Sequence, residues 1–455
     1  MDRMARLEFH AKVVFLLHSA TVRRVLLGLI LAVLLWNGRQ YRAGDGLDFG
    51  SHRDLVEYVS EHWSLPDRQV YRMAYNPPLF YFFCAAVKCG VEHSPLKSIN
   101  HSKVTRIILT LFSFLIVCLS MQICGWILGE GAKTPFLLLL CAAPAFFRAS
   151  AMYIPEQFLS LWVWLSLWIG LRSWVRKGVI GSWEAFFCAL CLCGAIWTRP
   201  MGFAAVGAWG LAMGYVCLRK AGWRKAWLKP ALIIGLAAGI GALSLFAFNL
   251  RRSNRAMPFL RGPFKEHVPL FKRQPLSFYF QPGLSAVFTH PIRPAAGNRL
   301  FPVLYSDYWG DYWAYWVANH KTDVDLRFWI KMLSAQNALA IIPTLILLSG
   351  YVALSWRSLR AESHSATACY LPISALALVG AGLFVYFAIA IPSRQTDQVK
   401  ATYLCYLMPC LPMGGAFVLD ALVKRPQTRW FWLAPYTCLF WAWSFFGFCV
   451  YPHNL

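Results

Sequence analysis

The chain has 455 residues, of which 58% are hydrophobic and only 14% charged, with a formal net charge of +24. Soluble domains carry about 25% charged residues, so this composition excludes an ordinary soluble domain. The charge does not point to nucleic acid either, because the basic residues collect in short loops between apolar segments, as the positive-inside rule expects of a membrane protein.

A membrane-spanning helix needs about 20 apolar residues. In chain order the candidate spans are 22–36, 77–91, 104–128, 134–149, 155–171, 182–198, 201–218, 229–249, 334–354, 366–391, 403–423 and 430–451. The weakest are 77–91, 134–149 and 155–171. The first span has Arg23 and Arg24 at its start and no small-residue cleavage site after it, so it reads as a retained helix. Phe, Trp and Tyr are plentiful, which suits two lipid–water interfaces. The expected fold is an all-α polytopic membrane helical bundle of about 11–12 spans. It would form a single domain over 1–455, with external loops carrying short interfacial helices. Cys188 and Cys191 have CxxC spacing but lie within an apolar span, where small packing residues are expected.

Four basic clusters set the expected orientation. They are Arg172/Arg176/Lys177, the loop 219–229, Arg357/Arg360, and Lys424/Arg425/Arg429. With all four in the cytoplasm, a first external loop covers 37–76 and a large one covers 251–333. Twelve full crossings from an internal N-terminus would put Arg172–Lys177 outside; eleven, with one weak candidate interfacial or re-entrant, restore agreement.

The first loop holds the residues best suited to chemistry. Asp48 and His52 are four apart, which puts them on one face of a helix. A carboxylate beside an imidazole can act as a general base, although the same pair also fits a solvated loop. Tyr75-Asn76-Pro77-Pro78-Leu79 opens the next apolar stretch. Glu156 follows Pro155 at the start of a span, where the helix dipole alone would favour an acid. Thr198-Arg199-Pro200 forms a turn whose Arg can also simply snorkel. Tyr305 to Trp313 alternates aromatics with Asp307 and Asp311. That run suits either a sugar platform, built on Tyr308 and Trp309, or an interfacial aromatic belt. Arg394, Lys400 and Tyr403 precede a Leu–Pro stretch.

This order of pieces resembles the GT-C glycosyltransferases, in particular the bacterial branch related to protein O-mannosyltransferases and the aminoarabinose transferases of lipid A. In that branch the loop runs Asp-x-x-x-His, then Tyr, then His-Pro-Pro-Leu; here Asn76 stands in place of the second His. The family's late motif has Arg directly before the Tyr; here that position is Thr402, with Lys400 two residues earlier.

The resemblance implies an inverting hexosyl- or pentosyltransferase that takes sugar from a polyprenyl-phosphate donor on the periplasmic face of a bacterial inner membrane. It assigns the catalytic role to Asp48, His52 and Glu156, with Asp48 as base. Donor-phosphate binding falls to Arg394, Lys400, Arg199 and Tyr403, with Arg53 behind them. Sugar binding falls to Tyr75, Asn76, Asp307, Tyr308, Trp309 and Asp311. Asp48, His52 and Glu156 are also the ligands a divalent metal would use. The expected partners are the lipid-linked donor, an acceptor on protein, lipid or glycan, and the bilayer, with no nucleic acid. Two alternatives are a transporter or flippase and a lipid-linked glycan polymerase or ligase using His267, His290 and His320. A third is a non-catalytic scaffold.

Overall fold

In a computed structural model of the chain, residues 19–41, 44, 46, 48–67, 71–95, 97–219, 221–253, 273–281, 283–294, 297, 299–315, 323–362, 365–391 and 398–424 are described. Among them there are helices and turns but no strands, so the chain is a polytopic membrane helical bundle. The expected span at 430–451, Arg394, His267 and His320 lie outside the described residues.

The helices are α1 (Ala20–Gln40), α2 (Phe49–His62), α3 (Leu79–Glu92), α4 (His101–Leu128), α5 (Lys133–Cys141) and α6 (Pro144–Ala151). They continue as α7 (Glu156–Lys177), α8 (Ser182–Thr198), α9 (Phe203–Arg219) and α10 (Ala221–Ser253). Short helices α11 (Leu276–Phe280), α12 (Leu284–Thr289) and α13 (Leu300–Trp309) follow. The last are α14 (Asp323–Leu339), α15 (Ile341–Arg360), α16 (Leu371–Ala390) and α17 (Cys410–Val423).

Local chemistry sets several ends. Asn100 caps α4 by accepting from Ser102 N at 2.8 Å. α7 starts on Glu156 and finishes on Arg176 and Lys177, matching the helix dipole, and Gly178 stops it at φ 74°. Its 22 residues reach about 33 Å, enough for the ~30 Å hydrocarbon core. On α10, Leu232, Leu236, Ile240 and Leu243 are all more than half exposed, forming an apolar stripe toward lipid.

An ion pair and a hydrogen bond identify the two ends of the bundle. Arg23, early in α1, pairs with Glu130 just beyond α4 at 3.2 Å. At the other ends of the same helices, Arg106 donates to the carbonyl of Tyr41. So α1 and α4 are antiparallel neighbours, and everything between them begins and ends at one end. The stretch 77–91 is therefore not a crossing. It is α3, 14 residues long and about 21 Å, too short to span. It folds back on α2, where Lys88 reaches Glu57 at 3.0 Å and Glu92 at 3.1 Å. Among the described residues this removes one candidate crossing, as the charge parity requires.

The other two weak candidates traverse. α7 is a full span. The 134–149 stretch is a broken span, α5 and α6, bent by 70° where Pro144 opens α6. It runs from Lys133, paired with Glu130, to Ser150, whose carbonyl accepts from Thr110 Oγ1 at 3.1 Å. A second bend, of 63°, separates the 3-10 turn Ala401–Leu407 from α17.

Candidate active site

The site forms at the end of the bundle away from the basic loops. α2 starts at Asp48, which adopts φ 60°, a left-handed conformation that Asp tolerates better than most residues. Asp48 and His52 line one narrow cleft, as their spacing predicts. The cleft also receives Glu156 from α7, Arg199 from the turn after α8, and Lys400, Thr402 and Tyr403 from the turn before α17. Met152, Ile154 and Tyr315 complete it, and its volume of about 20 Å³ leaves room for little more than a water.

A directed hydrogen-bond chain runs along one wall. Arg199 donates through Nε to Glu156 Oε1 at 3.1 Å and through Nη1 to Asn76 Oδ1 at 2.6 Å. That fixes the Asn76 amide, whose Nδ2 donates to the Tyr81 hydroxyl at 3.1 Å. The Tyr81 hydroxyl also hydrogen-bonds with His52 Nδ1, 2.9 Å away. His52 is buried at the end of this chain of bonds. Burial, then Arg199 and Lys400, push its pKa down to about 3. Burial opposes the charge of Arg199, but Glu156 outweighs it and holds the guanidinium above the usual range.

The two cations flank one ring. Arg199 lies 5.9 Å from the Tyr403 centroid, and Lys400 Nζ lies 5.2 Å from it and 3.4 Å from the Tyr403 hydroxyl. Lys400 also sits 5.7 Å from the Trp313 ring, which is anchored by Nε1 donating to Val399 O at 3.1 Å. The turn carrying Arg199 needs Gly202: a Cβ there would stand 2.6 Å from Ile196 N.

Behind this wall lies a second cavity of about 340 Å³. It shares Glu156, Arg199 and Tyr403 with the cleft, and its other walls are mostly apolar, including Leu159, Met201, Phe203, Leu383 and Phe387. Polar and charged groups therefore gather at one end of an apolar chamber, as in many ligand sites.

Several expected residues sit elsewhere. Asp307 and Asp311 do not form an open sugar platform. Arg148 Nη2 meets Asp307 Oδ1 at 2.9 Å, Asp311 Oδ1 is 3.6 Å from Arg148 Nε, and Ala401 N donates to Asp307 Oδ2 at 2.6 Å. Asp307 and Arg148 are buried, and Tyr308 and Trp309 belong to the core. Burial pushes Asp307 up to about 6 against the pull of Arg148. Tyr75 is exposed and lines neither cavity. Arg53 is exposed and pairs with Asp54 at 3.1 Å. Among the described residues no three His, Cys, Asp or Glu side chains form a metal-holding group, so Asp48, His52 and Glu156 are not gathered as ligands. The Tyr81 bond to His52 Nδ1 and the Arg199 bonds to Glu156 account for two of the three. Tyr81, Tyr315 and Arg148 are site or support residues that sequence reasoning passed over. Only Arg148 carried a signal, as a lone cation within an apolar segment.

No protein-family model matches the chain, and no curated protein matches it. Among solved structures, the chain is similar to ArnT from Cupriavidus metallidurans bound to undecaprenyl phosphate. The identity is 15%, with 89% of this chain and 79% of that one covered and a TM-score of 0.41. The apo structure of the same protein gives 16% identity, 89% and 78% coverage, and the same TM-score of 0.41.

Proposed function

We propose that the chain is a membrane glycosyltransferase of the GT-C type that transfers a sugar from a polyprenyl-phosphate donor to an acceptor hydroxyl. The observation that carries this reading is the wall shared by the two cavities. Arg199 and Tyr403 stand between an apolar chamber suited to a lipid tail and a polar cleft holding Asp48, His52 and Lys400.

The roles follow from charge. Asp48 takes the acceptor proton as the hydroxyl oxygen attacks the anomeric carbon. The bond from that carbon to the donor phosphate oxygen breaks, and its electron pair leaves on the phosphate. Arg199 and Lys400 stabilise the departing phosphate. Neutral His52 offers Nε2 for a hydrogen bond with a sugar or acceptor hydroxyl. Attack opposite the leaving group inverts the anomeric centre. The positive-inside rule favours the basic end in the cytoplasm and the site on the external face; the resemblance to the bacterial branch makes that face the periplasmic side of an inner membrane in this reading.

The test is reconstitution of the full chain with labelled polyprenyl-phosphate sugars. Release of the carrier phosphate by wild type, and its loss in Asp48→Asn, is the expected result. Full transfer by Asp48→Asn would remove Asp48 as the base. Accumulation of a solute in vesicles without sugar transfer would replace the enzyme reading with a transporter.

A further inference from the structure

We infer that the basic end of the bundle carries a second ligand site, which takes the headgroup of an anionic phospholipid between Arg357 and Lys424. A cavity of about 280 Å³ opens there, where the ends of α4, α15 and α17 meet the start of the Ala366–Tyr370 turn. It shares no lining residue with the Asp48 cleft and lies toward the opposite end of the bundle.

The lining divides by chemistry. Leu128, Leu354 and Phe417 contribute apolar wall, while Arg357, Thr367, Asp420 and Lys424 contribute polar groups. Lys424 Nζ is 2.6 Å from Asp420 Oδ2, which ties the ammonium to the rim, where 58% of the Lys424 side chain is exposed. The Arg357 guanidinium sits 5.6 Å from the Phe417 ring centroid, and among the described residues it has no carboxylate partner. Two cations against one carboxylate leave the cavity positive.

The site also lies at headgroup depth. Trp356 is exposed, and Arg360 stacks on it at 4.3 Å, an arrangement expected of interfacial anchors. A small soluble anion would use the charge but not the apolar wall. A phospholipid uses both, with its phosphodiester against Arg357 and Lys424 and its glycerol and upper chain against Leu354 and Phe417. Basic pockets between helices at this face bind anionic headgroups in membrane proteins generally.

The experiment is native mass spectrometry and thermal unfolding of the full chain, supplied with phosphatidylglycerol, phosphatidylcholine or inorganic phosphate. Wild type should retain one phosphatidylglycerol and be stabilised by it over phosphatidylcholine. R357Q/K424Q should weaken that retention on the order of thirtyfold, from the loss of two interfacial cations. Arg357→Lys, which keeps the charge, and Arg360→Gln, outside the lining, should both retain the lipid. Equal retention by R357Q/K424Q overturns the site. So does an equal loss in Arg360→Gln, which would reduce the effect to general surface charge. Equal stabilisation by inorganic phosphate alone overturns the lipid assignment. None of these readouts depends on glycosyl transfer.

Discussion

The Tyr81 hydroxyl lies 2.9 Å from Nδ1 of His52, and Asn76 Nδ2 lies 3.1 Å from the same oxygen. Burial and the charges of Arg199 and Lys400 keep the imidazole neutral. An unfolded His takes a proton near pH 6.5, whereas folded His52 resists until about 3. Its contribution to stability is therefore complete above pH 6.5 and is lost as pH falls from there toward about 3. Between pH 6.5 and about pH 5 the loss is about 2 kcal/mol. Melting of wild type and His52→Asn in detergent at pH 7.5, 6.5 and 5 checks this. The wild type should lose more over that interval; parallel curves would show that His52 takes up its proton as readily folded as unfolded.

Glu156 and Arg199 form a pair in which the carboxylate side chain is 4% exposed and the guanidinium 17%. On the proposed mechanism Glu156 competes with the leaving phosphate for Arg199. Glu156→Gln keeps an oxygen for the guanidinium but removes the competing charge. Breaking a buried pair costs about 3–5 kcal/mol, and the retained oxygen puts this variant at the low end. Polyprenyl phosphate should bind up to about tenfold more tightly, which corresponds to about 1.4 kcal/mol, while turnover falls because product leaves slowly. Weaker product binding in the variant would show that Glu156 assists the phosphate instead of competing with it.

The sequence carried the membrane bundle plainly, because long apolar segments and basic loops are local properties. It also carried Asp48 and His52 together, since a four-residue spacing on a helix needs no tertiary information. It could not say which weak segment fails to cross. That depends on Arg23 meeting Glu130, 107 residues away. The Asp307 cluster was legible as composition but not as burial. Aromatic–acidic runs look the same on a surface or around a buried Arg, and the partner, Arg148, is 159 residues distant. Asn76 looked like a departure from a motif. In the structure it couples Arg199 to Tyr81, a role set by three separate segments.

Asp307 acts on Lys400 through the backbone. One carboxylate oxygen is held by Arg148 at 2.9 Å and the other accepts from Ala401 N at 2.6 Å. Asp307→Asn leaves the Arg148 charge with Asp311 at 3.6 Å as its remaining carboxylate, a loss of about 3–5 kcal/mol in stability. It also frees the turn that carries Lys400. Donor binding should fall as it does in Lys400→Met, and the double variant should be little worse than either alone, with a coupling of about 0.5–3 kcal/mol. Binding assays on the two singles and the double decide it. Fully additive losses would mean that Asp307 supports the fold without positioning Lys400.

α15 and α17 cross closely where Gly350 faces Gly414. A Cβ on Gly350 would stand 2.7 Å from Gly415 N and overlap the Gly414 carbonyl, while one on Gly414 would stand 2.6 Å from Tyr351 Cα. These are backbone atoms and cannot swing aside, so the helices themselves would have to part. Small residues permit this approach, and in lipid such packing replaces a hydrophobic drive between helices. Overpacking a close-fitted contact costs about 1–3 kcal/mol. Gly350→Ala should therefore lower the melting temperature, although Ala is the better helix former. Gly28→Ala is the matched control, because a Cβ there meets nothing within 4 Å, and it should be neutral or slightly stabilising. Since α17 follows directly on the turn bearing Lys400 and Tyr403, Gly350→Ala should also weaken donor binding. A Gly350→Ala protein as stable as Gly28→Ala would show that the two helices have room to separate.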